Sequence, residues 1–217
     1  MLSVPGKQRA LIIANSYQDS ISVKNKIRQL PSCLEDASIL NKIFKELTFH
    51  RITVKNDVSS KKYLEKLFKN SQKDDLLFIH FSGHGETGGI VKKGQLRMIS
   101  SWLNPDLSLF TGLELQDMIE KTQCQNIIIS SDCCYAGRMF KDYTTDKNLI
   151  YICSSSGITR ATSWNIDGGK RSGSLSLVYD YIFKKDSNPT FDRFQELAKD
   201  FIQKYGTGSN KILITKI

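Results

Sequence analysis

Apolar runs of strand length, alternating with segments of helical period, predict an α/β protein. The expected architecture is a mostly parallel central sheet of about six strands with helices on both faces. Two observations carry this expectation. Six apolar runs, at 9–15, 49–54, 76–81, 126–131, 149–153 and 211–215, have the length of strands. Several, such as 76–81, are almost continuously apolar, which marks a strand buried on both faces.

The first helix is expected over 34–47, where Leu34, Ala37, Leu40, Ile43, Phe44 and Leu47 fall on one stripe. A second begins at Ser59 or Ser60 and turns Tyr63, Leu64, Leu67 and Phe68 inward. Thr111 and Glu114 have the spacing of a capping box and open a third helix carrying Leu113, Leu115, Met118 and Ile119. Two more fit 174–184 and Phe191–Tyr205, the latter between Pro189 and Gly206. The segment 88–101 suits a small hairpin beside the sheet. Without repeats or a low-complexity linker, 1–217 reads as a single domain.

Composition excludes several classes. An apolar fraction of 40% and a charged fraction of 24% are those of an ordinary globular protein. No stretch approaches the ~20 apolar residues of a membrane span, and residues 1–9 lack a signal-peptide core, so no membrane partner and a cytoplasmic location are expected. Five cysteines without framework spacing read as reduced thiols, and His50, His80 and His84 offer no zinc-binding set. The net charge of +9 raises the question of nucleic acid, but Lys61, Lys62, Lys66 and Lys69 are scattered along a helix. With no long basic run and no aromatic-stacking signature, a solvated basic surface is the better reading. Steering toward acidic partners stays open.

Chemistry concentrates at two strand ends. Ser82-Gly83-His84-Gly85 follows one buried run and Asp132-Cys133-Cys134-Tyr135-Ala136-Gly137 follows another. A thiol becomes a strong nucleophile once a neighbouring imidazole takes its proton, and in open α/β sheets sites form beyond the carboxyl ends of strands. A Cys/His pair there, beside glycines that let a substrate approach, reads as a cysteine protease site. His80 lies inside a strand and is assigned to packing, while His50 is assigned to the surface. Cys33, Cys124 and Cys153 read as small core residues. Adjacent residues face opposite ways in a strand, so only one of Cys133 and Cys134 can face His84, and the pattern alone does not say which.

The His-Gly and Asp-Cys-Cys-Tyr-Ala-Gly segments resemble those of the caspase-like cysteine peptidases, particularly the metacaspase and prokaryotic caspase-like branch. The resemblance spans nearly the whole chain, including Arg9 to Asn15 as first strand and Cys33 to Ala37 as the opening of the first helix. It implies a three-layer caspase-like fold. It also implies Cys134 as nucleophile, two residues after the Asp, with His84 as its base and an oxyanion hole of the Gly85 and Cys134 N–H groups. Where Asp-cleaving caspases place a Gln, this chain has Asp132, and Leu30 to Cys33 and Asn165 stand where arginines are expected. The resemblance therefore implies a pocket for Arg or Lys formed by Cys33, Asp36, Ser82 and Asp132, with Ser163 and Trp164 in a substrate-binding strand.

Three departures stand out. Tyr135 replaces a His common after the metacaspase nucleophile. Residues 94–110 contain Asp106 as their only acid, too few oxygen ligands for calcium, so no cofactor or metal is expected. No prodomain is visible, which leaves a regulatory partner protein open. The polar stretch 138–148 offers Arg138, Lys141 and Lys147 for self-cleavage but is short for that purpose. The leading expectation is an endopeptidase acting on proteins or peptides with Arg or Lys before the scissile bond, in a death, stress or defence pathway. The alternative is a catalytically silent caspase-like scaffold that binds protein partners. Family members dimerise along the last strand or remain monomers, and 211–215 could serve either way.

Overall fold

The computed structural model describes residues 3–92, 95–159, 161, 163–165, 171–205 and 212–217. The central sheet contains β1 (Gln8–Ala14), β2 (Arg51–Asn56), β3 (Leu76–Ser82), β7 (Asn126–Asp132), β8 (Asn148–Cys153) and β11 (Leu213–Lys216), in the order β11-β8-β7-β3-β1-β2. All neighbours run parallel except β11, which pairs antiparallel with the edge of β8. Beside it lie a three-stranded sheet of β4 (Gly85–Lys92), β5 (Gln95–Leu103) and β6 (Leu109–Thr111), and a two-stranded pair of β9 (Ser163–Asn165) and β10 (Arg171–Gly173).

Period-two alternation sorts the strand side chains into two cores. Ala10, Ile12, Leu76, Phe78 and Ile128 pack against α2 (Ser32–Glu46), α5 (Ser174–Lys185) and α6 (Phe191–Tyr205). Leu11, Ile13, Leu77, Ile79, Phe81, Ile127 and Ile129 pack against α3 (Ser60–Lys69) and α4 (Gly112–Lys121). The result is a three-layer α/β fold with the predicted strand content. Burying one such Phe or Ile side chain contributes about 1.5–3 kcal/mol, so each core is held by many individually modest terms.

The capping box at α4 is present in full, with the Thr111 hydroxyl accepting from Glu114 N and the Glu114 carboxylate accepting from Thr111 N. Other boundaries differ from expectation for local reasons. The second strand starts at Arg51 because Thr48 takes a left-handed φ of 56° and Phe49 N bonds back to Phe44 O, spending 48–50 on the exit from α2. The helix α1 (Ser20–Lys24) escapes periodicity because Ile21 and Val23 point outward at 51% and 52% exposure; Asp19 caps it by accepting from Ile21 N and Ser22 N. The expected hairpin at 88–101 is longer, begins directly after His84 and gains β6 as a third strand.

His80 is fully buried on the α2/α5 face, its Nδ1 2.8 Å from Ser130 Oγ, which also accepts from the Tyr179 hydroxyl at 2.8 Å. Burial lowers its pKa to about 3, which keeps the ring neutral and fits a packing role. His50 is exposed, and its Nδ1 accepts from Gln8 N.

Candidate active site

Three strand ends meet at one edge of the sheet. After β3, Gly83 and His84 form the link to β4. His84 is half-buried, its ring centroid 4.7 Å from that of Tyr17, which follows β1. Its Nε2 lies 2.7 Å from the backbone oxygen of Arg28. A carbonyl can only accept, so Nε2 carries the hydrogen and Nδ1 of the neutral ring is the basic nitrogen.

After β7 the chain passes Cys133 and Cys134, then turns at Tyr135 with a left-handed φ of 60° into a short 3₁₀ turn, Ala136–Arg138. The turn is pinned by Tyr135 N donating to Thr159 O, by Ala136 N donating to Ser155 Oγ, and by Ser155 Oγ donating to Cys133 O. The strand's alternation now separates the two thiols. Cys133 continues the parity of Ile127 and Ile129 into the α3/α4 core at 2% exposure, and burial raises its pKa well above the usual thiol value. Cys134 is half-buried and lines, with His84, a cleft of about 420 Å³. Gly85 lies against that turn. A Cβ added there would stand 2.0 Å from Cys134 O and 2.9 Å from Cys133 Sγ, so the close approach of the two loops requires glycine.

The same cleft is lined by Cys33, Asp36, Ser82, Asp132 and Gly173. Asp36 sits on the buried face of α2, in line with Cys33, Ala37 and Leu40. A carboxylate on an apolar stripe needs donors, and it has them: Ser82 Oγ at 2.5 Å, Gly173 N at 2.6 Å and Ser176 Oγ at 2.7 Å. Asp132, 6% exposed, accepts from Leu175 N at 2.9 Å. A Cβ at Gly173 would stand 2.3 Å from Asp132 Oδ2 and 2.7 Å from Asp36 Oδ2, so both oxygens border the space that this glycine leaves open. Burial, then the Asp36 charge, push the Asp132 pKa up to about 7. Burial and Asp36 likewise push the Cys33 thiol up.

All four expected pocket residues thus stand together beside His84 and Cys134. Ser163 and Trp164 supply the backbone of β9, which pairs with β10; their side chains, and Thr162, lie outside the described residues. Sequence reasoning missed Tyr17, the Arg28 carbonyl, Gly173 and the first turn of α5. Gly173, flanked by Ser172 and Ser174 before a helical run, was the one signal available for the last two. Arg138 and Lys147 are less available to cleavage than the sequence implied. Arg138 packs its stem on Gly157, and the buried Lys147 donates to Thr122 O at 2.8 Å. A larger groove of about 700 Å³ between α3 and α4 holds charges paired as Lys61–Glu114 and Lys121–Asp117, and neither cysteine nor histidine is among its described lining residues. Cys134 and His84 stand together in the smaller cleft.

No helix among the described residues is long and apolar enough to cross a membrane, and no three metal-ligating side chains among them cluster. Asp106 is occupied by Ser108, whose N and Oγ both donate to it. No curated protein matched the chain. A protein from Geobacter sulfurreducens of known crystal structure is similar in fold, with a TM-score of 0.72 at 15% identity over 97% of this chain and 93% of that one. The caspase domain family matches residues 7–211, nearly the full length over which this sheet and cleft are built, and the chain belongs to that family.

Proposed function

We propose that the protein is a cysteine endopeptidase that cleaves after Arg or Lys. The observation that carries this reading is the sharing of one cleft by Cys134, His84 and two converging carboxylates, Asp36 and Asp132. His84 Nδ1 takes the Cys134 proton, and the thiolate attacks the scissile carbonyl carbon. The carbonyl oxygen, now negative, is held by the N–H groups of Gly85 and Cys134, donors worth about 2.7–4 kcal/mol each in comparable sites. The imidazolium then protonates the leaving amine, and water hydrolyses the thioester to free the thiol. The substrate's Arg or Lys enters beside Asp36 and Asp132, where its charge offsets the burial and the Asp36 repulsion that together raise the Asp132 pKa. An Asp side chain in the same place meets like charge.

The reading includes activity without calcium, a cytoplasmic location, protein substrates in a death, stress or defence pathway, and control by a partner protein. These rest on the family and on the sequence. The deciding experiment measures kcat/KM for matched fluorogenic peptides with Arg, Lys, Asp, Leu or Gln before the cut. Cleavage of the Arg and Lys peptides alone is expected. Efficient cleavage after Asp overturns the acidic pocket, and no cleavage of any peptide, with Cys134 no more reactive than in His84→Ala, returns the protein to the silent-scaffold alternative.

A further inference from the structure

The hydrogen-bond ladder between β4 and β5 is interrupted where it reaches His84. The register Gly85↔Trp102 makes His84 and Leu103 the next opposed pair. In an antiparallel sheet every second opposed pair exchanges two direct N–H···O bonds, and a bond across this pair marks it as one of them. One is present, from Leu103 N to His84 O at 3.0 Å. The other is replaced by a relay. His84 N donates to the Tyr17 hydroxyl at 2.8 Å, and that hydroxyl donates to Leu103 O at 2.7 Å. A phenol oxygen from a different strand end is wedged into the ladder on one side of His84.

The wedge is built to stay. Tyr17 is fully buried, and burial holds its phenol well above the ordinary range, so the hydroxyl keeps the proton it donates. Its backbone takes a left-handed φ of 58°, and its N–H donates to Asp57 Oδ1 at 2.7 Å. Ser16 Oγ donates to the other oxygen of Asp57, also at 2.7 Å. A Cβ at Gly83 would stand 2.9 Å from the Tyr17 hydroxyl, so that glycine leaves the room the hydroxyl occupies.

We infer that Tyr17 is a positioning residue whose hydroxyl acts as a spacer, holding the His84–Leu103 pair open and thereby setting where the imidazole stands relative to Cys134. This rests on the Cys134/His84 dyad proposed above. Without the hydroxyl, His84 N and Leu103 O close on one another or stay unpaired, and the ring loses its placement while the pocket for the substrate side chain, built on α2, β3, β7 and α5, is untouched.

The test is Tyr17→Phe in the full chain, which keeps the ring packed on His84. Expected are a fall in kcat of roughly ten- to hundredfold with KM within about twofold, the scale on which small misplacements of catalytic groups act. The rate of alkylation of Cys134 by iodoacetamide at pH 7 falls toward that of His84→Ala; the other four thiols are buried. Should Tyr17→Phe fail to fold, Asp57→Ala removes the anchor of Tyr17 and leaves the phenol, and the same two readouts apply. Unchanged kcat and alkylation in a folded variant overturn the spacer and leave the dyad standing. A wild-type thiol that alkylates no faster than in His84→Ala overturns the dyad and the spacer with it.

Discussion

The two faces of the central sheet end differently. Toward α3 and α4, packing stays mostly apolar to the tips of the strands, closed over by Trp102 stacked on Phe81. It runs through Phe81 on β3 and, on β7, past Ile129 and Ser131, whose Oγ accepts from Trp102 Nε1 at 3.1 Å, to Cys133 just beyond the strand. Toward α2 and α5 the same strands change character halfway. Phe78 gives way to His80 and Ser82, and Ile128 to Ser130 and Asp132. On these two strands, one face is an apolar core broken by a single buried serine, and the other is a core whose last two layers are polar and hydrogen-bonded. Because side chains alternate along a strand, one register fixes both outcomes, and adjacent cysteines of equal chemistry receive opposite fates.

The largest test of that contrast is at the thiols. Cys134→Ala is expected to remove activity by several orders of magnitude, as loss of a nucleophile does, while Cys133→Ala keeps activity within a few-fold and loses some stability from its cavity. Active-site titration and kcat/KM of the two variants check this, and an inactive Cys133→Ala beside an active Cys134→Ala would reverse the assignment. Next in size, Asp132→Asn is expected to lower kcat/KM for Arg and Lys peptides by roughly a hundredfold, on the scale of a lost buried charge pairing. The exposed Asp117→Asn is the control.

Smaller effects arise from protons on the polar face, where two groups pull in opposite directions. The folded pKa of Asp132, about 7, lies above its ordinary 3.8. The native state therefore holds the extra proton between those values, and stability falls as pH rises through that window. His80, with a folded pKa of about 3 against 6.5, binds fewer protons when native, so its contribution falls as pH drops from 6.5 toward 3. Each limits at about 1.4 kcal/mol per pH unit. Urea titrations at pH 4 to 7 of Asp132→Asn and His80→Leu, each compared with wild type, should show slope changes of opposite sign. A cationic substrate analogue should flatten the Asp132 slope alone, and KM for Arg peptides should fall as pH rises toward 7. The smallest effect is none at all: a strong calcium chelator should leave kcat/KM unchanged, and a many-fold rise with millimolar calcium would contradict this.

The sheet and its five long helices were legible because each buries enough apolar surface to leave a repeating pattern. So was the Cys/His pair, since glycine-flanked chemistry at a strand end has few structural uses. The choice between Cys133 and Cys134 was not legible from alternation alone, because parity must be carried past Asp132 into a turn whose direction depends on Ser155 and Thr159. The Arg28 carbonyl beside His84 leaves no trace in residue identity, since every residue has one. Tyr17 lies past the expected first strand, 9–15, and left no signal of its own, because its role depends on a third segment, Leu103, distant in the chain. Three-residue strands are shorter than any period that could reveal them, so β9 was reached only through the resemblance and β10 not at all.

Asp36 and Asp132 share a pocket but not a burden. Asp36 joins α2 to β3, β10 and α5 through Ser82, Gly173 and Ser176, so it is a joint as much as a charge. Removing it leaves Ser82 Oγ and Gly173 N without that acceptor, at about 1–3 kcal/mol for each one stranded, while Ser176 Oγ keeps Gly173 O at 3.0 Å. Asp132 is tied to α5 by Leu175 N, one strand away from that joint. A lineage or an engineer seeking a new preference can therefore rewrite position 132 and keep the architecture. Position 36 is a keystone, open to change only after the arch has been braced elsewhere.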